Sequence, residues 1–481
     1  MALDQRAREA KLREVEARLR RAPSTALRYE RALLLDALGR TDAARKCYEE
    51  VLRADSKHFG AINNLALLLW KMNLREESFR MYMDAVERHP ENPVAHANLA
   101  YMFVKGGDLA RARELYETAL RLDPKNDEAK RGLATVLTQT GATGAALDNL
   151  TGQGALALTV LPYRGNGTPI RVLLLVTLGA GNVAAERLLD DRQFHTTKLI
   201  VEMHGDAPLP PHDVVFNAVG DADAGLAALD RVAAIVARSQ APVINAPGDV
   251  ARTTRALNAA RLRELGGIRV PHTLGFARAD LAAPDAPARL LAAGFTFPLL
   301  VRSPGFQTGQ HFEYVATAAD LHRTVAALPG DKLLVLEYVD ARDANGTFRK
   351  YRAMFVGDRI LPLHLALSAR WKVHYFSADM AENAAHRETE AVYLNDMAAA
   401  IGPGAMASLE RIRALLGLNY GGIDFGISPA GELIAFEANA TMVIVAPPAD
   451  ERWSYRRAAV ARVLEAVHAM IAERCSAANF L

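Results

Sequence analysis

The chain has 481 residues, half of them hydrophobic, enough for roughly two to four domains with cores of their own. Its 57 basic and 55 acidic side chains nearly cancel, which removes the electrostatic case for a nucleic-acid or membrane-surface partner. Two cysteines at opposite ends, Cys47 and Cys475, make neither a disulfide framework nor a zinc set. The first 21 residues are charged throughout and lack the apolar stretch of a signal peptide, and no apolar run approaches the ~20 residues of a membrane span. The expectation is a soluble, cytoplasmic protein.

Residues 27–150 repeat every 34 residues. Gly39, Asn73, Gly107 and Gly141 form one series, Ala44, Ser78, Ala112 and Ala146 a second, and Tyr48, Tyr82, Tyr116 and Leu150 a third; Ser56, Pro90 and Pro124 close the units. The small residue lets paired helices approach, the aromatic fills the space behind it, and proline ends the second helix. This period resembles the tetratricopeptide repeat, two antiparallel helices per unit. A helix over residues 2–21 is predicted to cap the array. On its concave face the polar or aromatic candidates are Asn63, Asn64, Lys71, His96, Asn98 and Tyr101, each taken singly more readily a solvated helix side. Such a stack is expected to bind a peptide or protein; the alternative is that it packs on the rest of the chain or on a second copy, as a homodimer.

Residues 138–169, rich in Gly, Thr, Ala and Leu, read as the boundary. The apolar run 171–177, RVLLLVT, reads as a buried parallel strand, followed by a Gly179–Asn182 turn and a helix from Val183. Strands at 197–202, 213–218 and 243–245 with intervening helices predict a doubly wound sheet. A helix over 249–265 carries Arg252 and Arg255. Residues 268–273, IRVPHT, and 297–303, FPLLVRS, read as strands. The loop after the second holds Gly305, Thr308 and Gly309, a composition able to fold over phosphates with its backbone N–H groups. Next come an apolar strand, LLVLEYV, ending in Glu337, Tyr338 and Val339, and the strand GTFRKYRAMF, with Lys350 and Arg352 on one face and Arg349 on the other. The segment from Ser368 to Tyr375 mixes Arg370, Lys372 and His374 with aromatics.

Residues 420–442 read as a hairpin. Asp424 lies on its first strand, Glu437 and Asn439 at the end of its second, and side chains two apart on a strand converge. Two carboxylates and an amide oxygen suit Mg²⁺; the bland reading is a hairpin with acidic groups on a wet face. Asp-Phe-Gly, a turn, then Phe-Glu-Ala-Asn resembles the metal-binding end of the ATP-grasp ligases, such as D-alanine–D-alanine ligase and glutathione synthetase. The resemblance runs from about residue 170 to the C-terminus, and the whole chain is similar to bacterial tetratricopeptide–ATP-grasp fusion proteins.

That resemblance implies an N-terminal α-solenoid (1–150), a linker (151–169), an α/β pre-ATP-grasp domain (170–275), a lid subdomain (276–345) and a C-terminal metal and catalytic subdomain (346–481), the last two α+β and clamping the nucleotide. It implies ATP and Mg²⁺ as cofactors, with Asp424, Glu437 and Asn439 on the metal. It also implies Arg255, Arg302, the loop Gly305, Thr308 and Gly309, and Lys350 near the phosphates. Glu337, Tyr338 and Val339 fall at the adenine. Arg352, Arg370 and Lys372 fall at the reacting groups. Arg302 stands where the family strand carries lysine, and the two are not interchangeable. The implied activity is an ADP-forming ligation of small-molecule or peptide carboxylate and amine substrates. The alternatives are a non-catalytic, ATP-sensing adaptor and a kinase on the same fold.

Overall fold

A computed structural model describes residues 2–72, 74–140, 157–304, 309–343, 345–373, 378–447 and 450–478. It divides into two compact units, Met1–Leu156 and Ala157–Leu481.

The first unit is helical: α1 (Ala2–Arg21), α2 (Thr25–Ala37), α3 (Thr41–Ala54), α4 (Phe59–Lys71), α5 (Arg75–Arg88), α6 (Pro93–Gly106), α7 (Leu109–Leu122) and α8 (Asp127–Gln139). The caps follow from side chains that satisfy the first free N–H groups. Ser24 accepts from Leu27 ahead of α2, and Asn92 from Val94 and Ala95 ahead of α6, which opens on Pro93. Gly107 ends α6 at φ +83°, a conformation that favours glycine. Ala44, Ser78 and Ala112 are fully buried where helices cross, and Tyr48, Tyr82 and Tyr116 are buried one turn later. The ring of Tyr116 lies over Gly132 so closely that a Cβ there would fall 2.1 Å from it.

The expected concave-face residues are largely tied together. Asn64 Nδ2 donates to the Tyr29 hydroxyl at 2.9 Å, Asn98 Nδ2 to Asn63 Oδ1 at 2.5 Å, and Lys71 pairs with Asp36 at 3.4 Å. His96 is buried, its Nε2 2.6 Å from the Pro90 carbonyl; Tyr101 is exposed. Asn73, Gly141, Ala146 and Leu150 lie outside the described residues.

The second unit holds strands β1 (Leu158–Val160), β2 (Ile170–Val176), β3 (Phe194–Ile200), β4 (Val214–Asn217), β5 (Val243–Ile244), β6 (Ile268–Arg269) and β7 (Thr273–Ala277). They are followed by β8 (Leu299–Arg302), β9 (Phe312–Val315), β10 (Lys332–Glu337), β11 (Phe348–Val356), β12 (Arg359–Ser368), β13 (Tyr420–Ile427) and β14 (Leu433–Asn439). Its helices are α9 (Ala222–Val236), α10 (Pro247–Ala251), α11 (Arg255–Arg263), α12 (Arg278–Ala282), α13 (Ala286–Ala292), α14 (Ala318–Ala327), α15 (Ala384–Asn395), α16 (Met397–Leu416) and α17 (Arg457–Ala478). Three sheets result, ordered β1-β3-β2-β4-β5, β7-β10-β8-β9 and β12-β11-β13-β14-β6. The first is parallel except for β1; the second is antiparallel; in the third only the β14–β6 pairing is parallel.

Two expectations change. After β2 the Asn182 side chain accepts from Thr177 N and donates to Thr177 O, closing a tight turn, and a single 3-10 turn (Ala185–Arg187) replaces the helix expected from Val183. The helix expected over 249–265 is two, because Arg252 ends α10 and Arg255 starts α11. The two arginines therefore point to different neighbours: Arg252 pairs with Asp249, Arg255 does not.

The third sheet shows why alternate residues matter. Tyr351, Ala353, Phe355, Ile423 and Phe425 pack with Tyr393 of α15 and Leu409 and Ile412 of α16. Met354, Val356 and Tyr420 pack in a second cluster with Val463 and Val467 of α17 and with Leu174 and Phe216 of the first sheet. Lys350 and Arg352 share the alternation of Met354 and Val356 but lie further toward the β11 start, where the face turns polar. Gly422 lets the strands close here, since a Cβ at that position would fall 2.6 Å from the Ala353 carbonyl oxygen.

Candidate functional site

Between the second and third sheets runs a cleft of about 210 Å³. Its lining includes the apolar Leu262, Val270, Leu300, Leu336 and Val339. It also carries Arg255, Arg302, Lys350 and Lys372 with Asp424, Glu437 and Asn439.

Register builds the polar cluster. Asp424 is the cross-strand partner of both Glu437 on β14 and Arg352 on β11. Directly opposed residues lie on one face with Cβ atoms about 5 Å apart, so the hairpin brings both carboxylates together, with Asn439 two residues on. Arg352 grips Asp424 with both arms of its fork, Nε to Oδ1 at 2.6 Å and Nη2 to Oδ2 at 2.9 Å; Lys350 Nζ reaches Oδ2 at 3.1 Å. Burial pushes the Asp424 carboxyl up, but Arg352 and Lys350 outweigh it and hold it far below the usual carboxylate range. The same pairing raises Arg352 against the downward pull of its own burial.

Glu437 is answered from α11. Arg255 Nη2 donates to Glu437 Oε1 at 2.7 Å, and its Nη1 donates to Asp223 Oδ2 at 2.9 Å, with Asp221 at 3.9 Å. Burial raises the Glu437 carboxyl; Arg255 and then Arg302 turn the balance and lower it. Asp223 goes the other way, burial raising it further than Arg255 lowers it. Arg302 is buried, its guanidinium over the Phe312 ring at 5.4 Å, and burial together with nearby Arg255 lowers its pKa.

The expected adenine residues Glu337, Tyr338 and Val339 line the cleft, but the Glu337 carboxylate is turned to Arg269 and to the backbone N–H of His272. Gly309 and Lys372 also line it, and Lys372 Nζ donates to the Phe312 carbonyl at 2.8 Å. Arg370 lies apart, exposed in an adjoining open groove with Tyr314 and Arg342. Gly305, Thr308 and His374 lie outside the described residues.

Sequence reading missed Asp221, Asp223, Asn258 and the rings of Phe312, Tyr314 and Trp371 that gather about the expected Tyr338. Asn258, one helical turn after Arg255, donates to the Ala438 carbonyl at 2.6 Å, and the i, i+3 spacing was the available signal. Tyr314 stands 5.1 Å from Tyr338 and 5.9 Å from Trp371, between centroids. No periodic pattern marks those three rings.

The donors fit a nucleotide better than a three-ligand metal site. Arg255 Nε and Asn258 Oδ1, buried atoms of two residues that line the cleft, have no hydrogen-bond partner among the described residues. For Mg²⁺ the fit is partial. Asn439 Oδ1 already accepts from Thr441 N at 2.9 Å and Thr441 Oγ1 at 2.7 Å, and Asp424 is gripped as above. Glu437 Oε2 accepts from no described residue and would hold the ion. Among the described residues no cluster of three or more His, Cys, Asp or Glu side chains forms a metal site.

A family model for the tetratricopeptide repeat matches residues 29–93, 63–127 and 98–150. The N-terminal helices are tetratricopeptide repeats. Across 91 residues the chain is 33% identical to a probable UDP-N-acetylglucosamine–peptide N-acetylglucosaminyltransferase SPINDLY of Solanum lycopersicum, covering 19% of this chain and 10% of that protein. The match thus spans about a tenth of the length of these curated relatives. Among solved structures, the chain is similar to the D-alanine–D-alanine ligase of Coxiella burnetii at 13% identity, over 65% of this chain and 96% of that one, with a TM-score of 0.42. It is also similar to the VanG D-Ala:D-Ser ligase of Enterococcus faecalis at 14% identity, over 63% and 99%, with a TM-score of 0.40. The repeats are followed by an α/β region. Among the described residues no helix is long and apolar enough to cross a membrane.

Proposed function

We propose that the second unit is an ATP-dependent ligase, assisted by Mg²⁺, that joins a carboxylate to an amine through an acyl phosphate, and that the repeats recruit a peptide or protein as substrate or partner. The observation that carries this reading is the composition of the cleft's lining. Apolar side chains suited to a base share the lining with Arg255 and Lys350, which are fixed by Glu437 and Asp424.

Phosphoryl transfer asks a protein mainly for position and charge neutralisation. A substrate carboxylate oxygen attacks the γ-phosphorus, the bond to the β,γ-bridging oxygen breaks, and ADP leaves. The amine attacks the acyl carbon, phosphate departs, and the amine proton passes to solvent. Lys350 and Arg255, which line the cleft, offset the phosphate charge, with Arg352 holding Asp424 beside them; Lys372, also in the lining, is the candidate for the acyl donor or the transferring phosphoryl group, and Arg370, in the adjoining groove, is not. Mg²⁺, held by Glu437, would supply further charge neutralisation. Trp371 and Phe312, with ring centroids 5.4 Å apart, cover one side of the cleft and help to keep water from the acyl phosphate.

The saturation of Asp424 by two cations favours a second reading, a nucleotide-sensing adaptor without turnover. Calorimetry with ATP and Mg²⁺ on the full chain, then ADP and phosphate release with candidate peptides, separates the two. Binding with peptide-dependent release supports the ligase; binding without release supports the adaptor; no binding overturns both. The product mass distinguishes condensation from the phosphate adduct of a kinase.

A further inference from the structure

The two hairpin carboxylates differ in how their oxygens are used. Asp424 is committed on both: the Arg352 fork spans Oδ1 and Oδ2, and Lys350 adds a third contact on Oδ2. That paired geometry is the one in which a guanidinium binds a carboxylate most strongly, and the Asp424 side chain is 5% exposed. The Asn439 amide oxygen receives two hydrogen bonds from Thr441, which fills both lone pairs. Glu437 is different. Its Oε1 takes Arg255 Nη2 at 2.7 Å and Asn439 Nδ2 at 2.9 Å, whereas Oε2 accepts from no described residue, on a side chain 28% exposed.

We propose that Asp424 is a positioning residue and not a metal ligand: locked by Arg352, it fixes Lys350 as a cation for an anionic phosphate, and Glu437 alone among the three carries a divalent ion, one per chain. This rests on the nucleotide reading above. A second ion at Asp424 would stand against an ammonium and a guanidinium that already occupy its oxygens. To admit it, a half-buried guanidinium would have to leave a buried carboxylate, stripping both groups of their partner. Mg²⁺ has no need of that displacement, since one or two carboxylates, phosphate oxygens and waters complete its sphere. Lys350 lines the cleft and can meet a phosphate oxygen while its carboxylate partner stays behind it.

The test counts ions. Mn²⁺ is titrated into the full chain with a non-hydrolysable ATP analogue and followed by electron paramagnetic resonance, for wild type, D424N and E437Q. The expected result is one bound Mn²⁺ in wild type, held markedly more weakly in E437Q, where only the analogue's phosphates remain to it. D424N should keep its ion while binding the analogue roughly ten-fold more weakly, as its cations lose their anchor. Two spin-coupled Mn²⁺ ions in wild type, or loss of the ion from folded D424N, overturns the proposal. If D424N does not fold, the wild-type count decides by itself. Absence of any analogue binding overturns the nucleotide reading and this one with it, whereas two ions with the analogue bound overturns this one alone.

Discussion

Asn245 at the end of β5 and Tyr420 at the start of β13 hold each other by two hydrogen bonds: Nδ2 donates to the Tyr420 carbonyl at 2.7 Å, and Oδ1 accepts the Tyr420 N–H at 2.9 Å. Asn245 is at φ +60°, a conformation asparagine tolerates better than most residues. The parallel sheet is thereby tied to the strand that carries Asp424. N245A is expected to cost about 2–4 kcal/mol by leaving buried backbone groups unpaired and straining the turn. N245G, which removes only the strain, should recover about 1 kcal/mol. Urea unfolding of both variants measures the difference.

Arg255 neutralises Glu437 and Asp223 together from a nearly buried position. R255M should destabilise the protein by about 3–5 kcal/mol, because two carboxylates lose their cation. Adding E437Q to R255M should restore part of that loss, because one unpaired charge is gone. A double-mutant cycle in urea gives the coupling, and additivity would mean that the pair does not interact.

His364 is the cross-strand partner of Arg352, among Lys350, Arg456 and Asp424. Burial, and then the positive charge of Arg352, drives its pKa well below the usual value. The folded imidazole stays neutral while the unfolded one binds a proton below about pH 6.5. Stability is therefore complete above that pH and falls as pH drops below it, by at most ~1.4 kcal/mol per pH unit. H364N should flatten the melting temperature between about pH 6.5 and 5. The depressed carboxylates Asp424 and Glu437 act lower: their contribution is present above about pH 4 and is lost as pH falls further.

In the repeats, G132A should destabilise by about 1–3 kcal/mol despite alanine's better helix propensity, because the buried Tyr116 ring must move. Y116L in the same chain should relieve it. Equal stability of G132A and wild type in denaturant would show that the ring yields freely.

The repeats were legible because each unit restates the same small and aromatic positions, so Ala44, Ser78 and Ala112 identify one another. The hairpin was legible because Asp424, Glu437 and Asn439 fall within one short segment whose alternation sets their face. What answers them was not. Arg255 reaches Glu437 across 182 residues, and that meeting depends on where α11 packs. Alternation puts Lys350 and Arg352 on one face of β11; that Asp424 is their immediate partner follows from the β11–β13 register, which no local pattern encodes. The broken helix at Arg252 did have a local signal: Thr253 and Thr254 are β-branched residues that suit a helix start better than a helix interior.

Trp371 packs against Phe312 and Tyr314 of β9 while lining the cleft, whereas Trp70 and Trp453, the other two tryptophans of the chain, do not line it. The molecule thus carries a built-in optical probe where the second sheet meets the segment after β12. Any ligand that shifts β9 against that segment should change the indole emission, and W371F should silence the signal. Rapid mixing could then time the sheet's movement separately from turnover.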